Sequence, residues 1–197
     1  MKMMLSVKDN NGVEQGVRGA FLTLFEAKTV NGEGEPAYSG AFLIDPKTPG
    51  GQKLIDTINA KIEEVAKAKW GAKADGVLAA MRKANKTCLQ DGDLKADYDG
   101  FAGMMFVSTR SKVRPLVIDR DKTPLTAADG RIYSGCQVLP QIELWAQDNS
   151  YGKRVNAQLK GVQFIKDGDA FGGGGTPASA DDFGDLGVDN DDGNDFV

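Results

Sequence analysis

Two aromatic side chains and two cations alternate with apolar residues in the last two strand-like segments of the chain. Tyr133 and Trp145 share the mostly polar parity of the first segment, and its other parity is apolar. In the second segment, Arg154 and Lys160 share the polar parity with amides such as Asn156. Flat rings stack on nucleobases and cations contact phosphates, so this face has the chemistry to hold a single nucleic-acid strand.

Further cations flank this face in two predicted turns. One is a basic cluster from Arg110 to Arg114, and the other is a polar turn between the two strand-like segments. The same pattern is also typical of a half-exposed sheet with solvated loops, in which an indole can cover the core. The candidate nucleic-acid ligands are Tyr133, Trp145, Arg154, Lys160, Arg110, Lys112, Arg114, Lys153, Tyr151 and Asn156.

The residue inventory argues against an enzyme. The chain has no histidine, which excludes a histidine general base, a Ser–His or Cys–His nucleophile pair and a histidine-containing zinc site. Its two cysteines, Cys88 and Cys136, form no CxxC pair, so we expect them to be reduced and buried. We therefore predict a protein that is not an enzyme and that uses neither a metal nor a cofactor.

Three pairs of closely spaced aspartates bear on the one enzymatic alternative, a metal-dependent nuclease. They lie at 91 and 93, at 97 and 99, and at 119 and 121. Their surroundings are turn-like and rich in glycine and lysine. Solvated acids are the usual explanation of such clusters, so this alternative is disfavoured.

Length and composition predict one ordinary soluble domain. The chain has 197 residues, of which 41% are hydrophobic and 26% are charged. No stretch approaches the roughly 20 apolar residues that span a bilayer, and the N-terminus lacks a signal-peptide pattern. We expect an intracellular protein with no membrane partner.

The elements that position the candidate residues are mainly strands. The apolar period changes from two to about 3.6 only in the middle of the chain. Pro140 predicts a bulge or an edge position in its strand. The predicted strands are 17–25, 38–44, 101–109, 132–146 and 155–164, and the predicted helices are 52–70 and 76–85.

This order of elements predicts an α+β, mainly β, fold. Five or six strands with helices inserted mid-chain fit the five-stranded OB barrel, whose inserted helix we expect between the third and fourth strands. An unrelated β-sandwich also fits the strand pattern. The predicted divisions are an OB domain over 1–171, a glycine-rich linker over 172–180 and an acidic tail over 181–197.

The tail has too few apolar residues to offset the entropy of ordering, so the sequence predicts that it is disordered. The chain has a net charge of −4 and the tail carries seven negative charges, so residues 1–180 are net +3. The four glycines before the tail lack the lysine and the Ser/Thr of a phosphate-binding loop. The acidic and aromatic residues of the tail are Asp181, Asp182, Asp185, Asp189, Asp191, Asp192, Asp195 and Phe196.

In its order of motifs the sequence resembles the OB-fold single-stranded DNA-binding proteins of bacteriophages, of the Enc34 type and more distantly of the T7 type. The resemblance covers most of 15–172, and the acidic tail with an aromatic near its end adds to it. One departure is that Val197 follows Phe196, whereas such tails commonly end on the aromatic. The motifs are GAFLI at 40–44, KWG at 69–71, LQDGD at 89–93, the basic loop 110–114, VIDR at 117–120, YSGC at 133–136, and GVQF at 161–164 followed by DG at 167–168.

The resemblance implies sequence-independent binding of single-stranded DNA during phage replication, recombination or repair, in the cytoplasm of an infected bacterium. It places the groove on Tyr133, Trp145, Arg154, Lys160 and the neighbouring basic loops. We expect the tail to compete with DNA for this groove and to recruit phage or host replication and recombination proteins. Two alternatives stay open. One is a strand-annealing or recombination mediator, and the other is a protein-interaction module whose tail mimics DNA.

Overall fold

The computed structural model describes residues 1–9, 11–30 and 32–172. Most of the predicted linker and the whole predicted acidic tail lie outside the described residues. None of the described helices is long and apolar enough to cross a membrane. The described strands are β1 Lys2–Met4, β2 Val7–Lys8, β3 Glu14–Gln15, β4 Val17–Val30, β5 Glu33–Ile44, β6 Leu89–Asp91, β7 Met105–Ser111, β8 Leu116–Ile118, β9 Gln137–Asn149 and β10 Gly152–Lys166, and the α-helices are α1 Pro49–Trp70 and α2 Ala74–Lys83.

Five of the strands close into a barrel. The hydrogen-bonded order β9-β4-β5-β7-β10 returns to β9, because β10 pairs with β9 along almost its whole length. Neighbouring barrel strands are antiparallel except β7 and β10, which are parallel. The short strands β1, β6 and β8 extend this sheet, and β2 and β3 form a separate hairpin. This closed five-stranded barrel confirms the predicted OB fold.

Both predicted helices are present, but their place in the barrel differs from the expectation. They follow β5 and precede β7, so they lie between the second and third barrel strands rather than between the third and fourth. Thr48 caps α1 through a 3.1 Å hydrogen bond from the Gly51 N–H, and Gly71 ends the helix at φ 54°. One face of α1 is buried against the barrel core through Leu54, Ile55, Ile58, Ile62 and Ala66.

Two predicted strands begin later than expected, and a glycine explains each difference. The strand predicted to begin at residue 101 begins at Met105, because Gly103 has φ 70°. The segment predicted from 132 begins at Gln137, because Gly135 has φ 114°. Extended backbone does not continue through such left-handed positions. The segments before these glycines are therefore irregular, although Phe101 is fully buried.

Pro140 lies inside β9 without reversing its parity. Val138 and Ile142 on either side of it are both fully buried. The predicted irregularity occurs on the partner strand, where the register of β10 shifts around Lys160. Trp145 consequently keeps the outward parity that the sequence predicts and does not cover the core.

Both cysteines are unpaired and buried, as expected from the sequence. Cys88 and Cys136 are free thiols that belong to the main core. Burial raises the pKa of the Cys88 thiol to about 12. Since the thiolate is the reactive form, Cys88 is a packing residue at neutral pH.

Candidate nucleic-acid interface

The strand registers connect residues of five neighbouring strands in one stepped row around the outside of the barrel. Trp145 of β9 is opposite Asn156 of β10, and the parallel register of Ala157 with Thr109 places Arg110 of β7 two residues further along, beside Gln158. Arg110 of β7 is opposite Ser39 of β5, which is opposite Thr23 of β4. The row follows the curved outside of the closed barrel, in which neighbouring strands lie about 4.8 Å apart. We call Trp145, Asn156, Arg110, Ser39 and Thr23 the transverse row.

A groove of about 520 Å³ lies at the β9 end of the transverse row. The Trp145 side chain forms one wall and is 45% exposed. Such exposure is unusual for a large, mostly apolar indole. Four of the residues that the sequence predicts as ligands meet here, namely Arg110, Lys112, Trp145 and Asn156. The groove is completed by Ser111, Gln147, Ala157 and Gln158.

Amide side chains fix the polar floor of the groove. The Asn156 amide donates to Gln147 at 3.0 Å, and the Gln147 amide donates to Asn149 at 3.1 Å. The Gln158 amide donates to the Ser111 hydroxyl at 3.4 Å. These bonds hold neutral donors and acceptors in place beside the indole, where they can meet base edges or sugar oxygens.

The two cations of the groove are anchored on one residue of β5. The Arg110 guanidinium donates to the backbone carbonyl of Glu35, and the Lys112 ammonium forms an ion pair with the Glu35 carboxylate. The hydrogen bond and the charge of Lys112 lower the pKa of Glu35. Because both side chains of this pair are exposed, the pair adds little stability and a phosphate can replace the carboxylate.

Two further lysines among the predicted ligands lie outside the groove lining, each with a carboxylate partner. Lys160 of β10 pairs with Glu143 of β9 at 3.1 Å. Lys153 pairs with Asp148 at 3.2 Å, and Asp148 also accepts a 2.7 Å hydrogen bond from the Trp70 indole at the end of α1. The Trp70 bond, followed by that from Lys153, lowers the pKa of Asp148. Helix α1 thereby fixes the β9–β10 turn.

The family model that describes the single-stranded DNA-binding protein of Enterobacter phage Enc34 matches residues 11–197. The chain belongs to this family. Among individual relatives, protein p50 of Acyrthosiphon pisum secondary endosymbiont phage 1 is 47% identical over 184 residues, which are 92% of this chain and 94% of p50.

Solved structures agree with this assignment. The Enc34 single-stranded DNA-binding protein in complex with single-stranded DNA superposes with a TM-score of 0.67 at 28% identity, over 81% of this chain and 88% of that one. The single-stranded DNA-binding protein gp2.5 of bacteriophage T7 has a TM-score of 0.53 at 17% identity, over 84% of this chain and 91% of that one. The likeness to gp2.5 concerns the fold alone.

The structure places Tyr133 away from the groove. Its hydroxyl lies 3.1 Å from the Asp167 carboxylate and accepts a 3.0 Å hydrogen bond from the Gly168 N–H. These partners follow the end of β10, where Lys166 is opposite Gln137, whereas Trp145 lies towards the other end of the hairpin. Burial raises the pKa of the Tyr133 phenol. Tyr133 therefore holds the segment after β10.

The other predicted ligands lie around the groove rather than in it. Tyr151 is exposed at the β9–β10 turn, where its N–H donates to Asn149 at 3.0 Å. Arg154 is exposed on β10, and Arg114 is exposed in the loop that follows β7. They can meet a strand that extends beyond the groove.

Three of the closely spaced aspartates accept hydrogen bonds from backbone N–H groups of nearby loops. Asp91 accepts a 2.9 Å hydrogen bond from the Asp93 N–H, and Asp93 accepts one of 2.8 Å from the Gly103 N–H. Asp121 accepts a 2.9 Å bond from the Thr123 N–H, and this bond is the main reason why the pKa of Asp121 is lowered. Their oxygens stabilise loop backbone, which agrees with the interpretation as solvated turns.

Proposed function

We propose that the protein binds single-stranded DNA without sequence preference and without chemical change to it. The observation that carries the proposal is the exposed Trp145 indole in a groove that also holds Arg110 and Lys112. Membership of the phage single-stranded DNA-binding family supports it independently.

In the proposed complex a base stacks on Trp145 and the adjoining phosphates contact Arg110 and Lys112. Stacking contributes about 1–3 kcal/mol for each base and tolerates every base, because every base has a π-face. Each phosphate contact releases condensed counterions, so the affinity falls as salt rises. The amides of the floor contact whichever base edge or sugar lies above them.

The test is a fluorescence anisotropy titration of the full chain with labelled oligo-dT, oligo-U and duplex DNA at several salt concentrations. We expect oligo-dT to bind more tightly than duplex, with a linear decrease of log K with log salt. Absence of binding to oligo-dT at low salt, both by the full chain and by a chain that ends at residue 175, would show that the proposal is wrong.

We further propose that the protein acts in replication, recombination or repair of phage DNA inside the infected bacterium, with residues 181–197 as a competitor for the groove and a recruiter of partner proteins. Existing ion pairs support the competition, since Lys112 in the groove and Lys160 outside its lining already bind the carboxylates of Glu35 and Glu143. The seven aspartates of the tail carry the same group.

Neutralising the tail should therefore strengthen DNA binding. With all seven tail aspartates replaced by asparagine, we expect oligo-dT affinity to rise several-fold at low salt and the preference over duplex to fall. The gain should shrink near 1 M salt, where the Debye length is about 3 Å. Deleting residues 176–197 should give the same result. Competition is ruled out if the neutralised chain binds as the wild type does throughout the salt series.

A further inference from the structure

An exposed pair of aromatic rings lies on the outside of the barrel, away from the groove. Phe21 of β4 and Tyr98, in the segment before β7, are 44% and 53% exposed. Their ring centroids are 5.0 Å apart and the rings are perpendicular. The Lys95 ammonium lies 5.2 Å from the centre of the Phe21 ring and 5.7 Å from that of Tyr98. We call these three residues the aromatic platform.

Buried aromatic rings lie beneath the aromatic platform and support it. Phe101 is fully buried beneath it, 5.5 Å from the Phe21 ring and 5.2 Å from the buried Phe106 ring. Phe21 has φ 51° at a register irregularity of β4, and its N–H donates to the Ser134 hydroxyl at 3.2 Å. A bulky side chain in this region of φ is strained by about 1–3 kcal/mol. With this backbone conformation the Phe21 ring is exposed, whereas its neighbour Ala20 is buried.

The strand registers place the platform at the far end of the transverse row. Thr23 is the last member of that row, and Phe21 is two residues before it on β4. Ser39 and Thr23 are small and polar. Phe106, whose ring lies 5.9 Å from the Lys95 ammonium, is four residues before Arg110 on β7 and shares its parity, with the exposed Ser108 between them. The platform and the groove therefore lie along the same outer face of β7, about 13 Å apart along the strand.

We propose that the aromatic platform is a second base-stacking subsite for the same single strand. The inference rests on the proposed function and extends it: the strand crosses the barrel from Trp145 over Arg110 and Ser39 to Phe21 and Tyr98. Exposed aromatic rings stack on bases of any sequence, and a neighbouring cation adds a favourable cation–π contribution.

Carboxylates near the aromatic platform determine the salt dependence that we expect of DNA binding there. Asp91, Asp93 and Asp99 each accept a hydrogen bond from a backbone N–H of the surrounding loops, so their oxygens are turned to the backbone. Asp97 is exposed on the same segment. These acids offset the attraction of Lys95 for phosphate. The platform should therefore contribute stacking and almost no salt dependence, unlike the groove.

The test compares Tyr98→Ala with the wild-type full chain, using labelled dT4 and dT15 at several salt concentrations. A four-nucleotide strand is at the lower limit for one OB fold and fills the groove alone, whereas dT15 reaches the platform. We expect Tyr98→Ala to weaken dT15 binding at least about fivefold, to leave dT4 binding unchanged and to keep the salt slope. Phe21→Leu, which retains apolar cover over Phe101, should act in the same direction.

Leu94→Ala is the matched control, since Leu94 is equally exposed on the same segment but is not aromatic; it should bind dT15 as the wild type does. Equal dT15 affinity of Tyr98→Ala and wild type would overturn the inference, as would an equal loss for dT4 and dT15. Tighter binding by Tyr98→Ala would overturn it as well, because the platform would then hold a protein segment such as the chain's own tail. Failure of the wild type to bind either oligonucleotide would instead contradict the proposed function.

Discussion

Replacing Trp145 with alanine should weaken the binding of single-stranded DNA about 5- to 100-fold without a change in the temperature of thermal unfolding. The indole is a wall of the groove and is exposed, so its removal costs the stacking energy and leaves the core intact. Anisotropy titration with labelled oligo-dT measures the first quantity, and circular dichroism melting measures the second.

Two further variants test whether the aromatic ring of Trp145 itself accounts for the loss of affinity. Trp145→Phe keeps a flat aromatic face and should recover a large part of the affinity. Trp70→Phe removes the other indole, which donates to Asp148 outside the groove, and should change oligo-dT binding much less. If Trp145→Ala bound oligo-dT as the wild type does, or if phenylalanine were no better than alanine, Trp145 would not be a stacking residue.

The outward position of Trp145 could be predicted because it depends on a local pattern. In an amphipathic strand the two faces alternate residue by residue, so the apolar parity of Val138 and Leu144 assigns Trp145 to the other face. Pro140 could have broken this inference. It did not, because the irregularity lies on β10 and the parity of β9 continues through the proline.

Positions set by single backbone angles or by distant pairings could not be predicted in the same way. Tyr133 shares the parity of Trp145 in the sequence, but the left-handed Gly135 separates it from β9. The contact of Glu35 with Lys112 depends on how β5 pairs with β7, across two helices of intervening chain. Phe21 lies in a segment that looks like an ordinary strand, and only the irregularity of β4 turns it outward.

Replacing Arg110 and Lys112 together with alanine should reduce the salt dependence of DNA binding as well as its strength. Each phosphate contact on a single strand contributes about 0.7 to the slope of log K against log salt, so two lost contacts should lower the slope by about 1.4. We expect at least a tenfold loss of oligo-dT affinity at low salt. Salt titrations of the variant and of the wild type measure both quantities.

A pair of exposed lysines on the helices, Lys67 and Lys83, provides the charge-matched control. Their double alanine variant changes the net charge equally, so a slope that fell as much there would show a general charge effect and contradict a specific contact.

Glu35 tests the same site from the other side, because a phosphate that binds Lys112 must displace its carboxylate. Glu35→Gln should therefore bind oligo-dT more tightly at low salt, and the gain should vanish as salt screens the displaced charge. An opposite effect of Glu35→Gln would mean that the carboxylate positions Arg110 and Lys112 for DNA rather than competing with it.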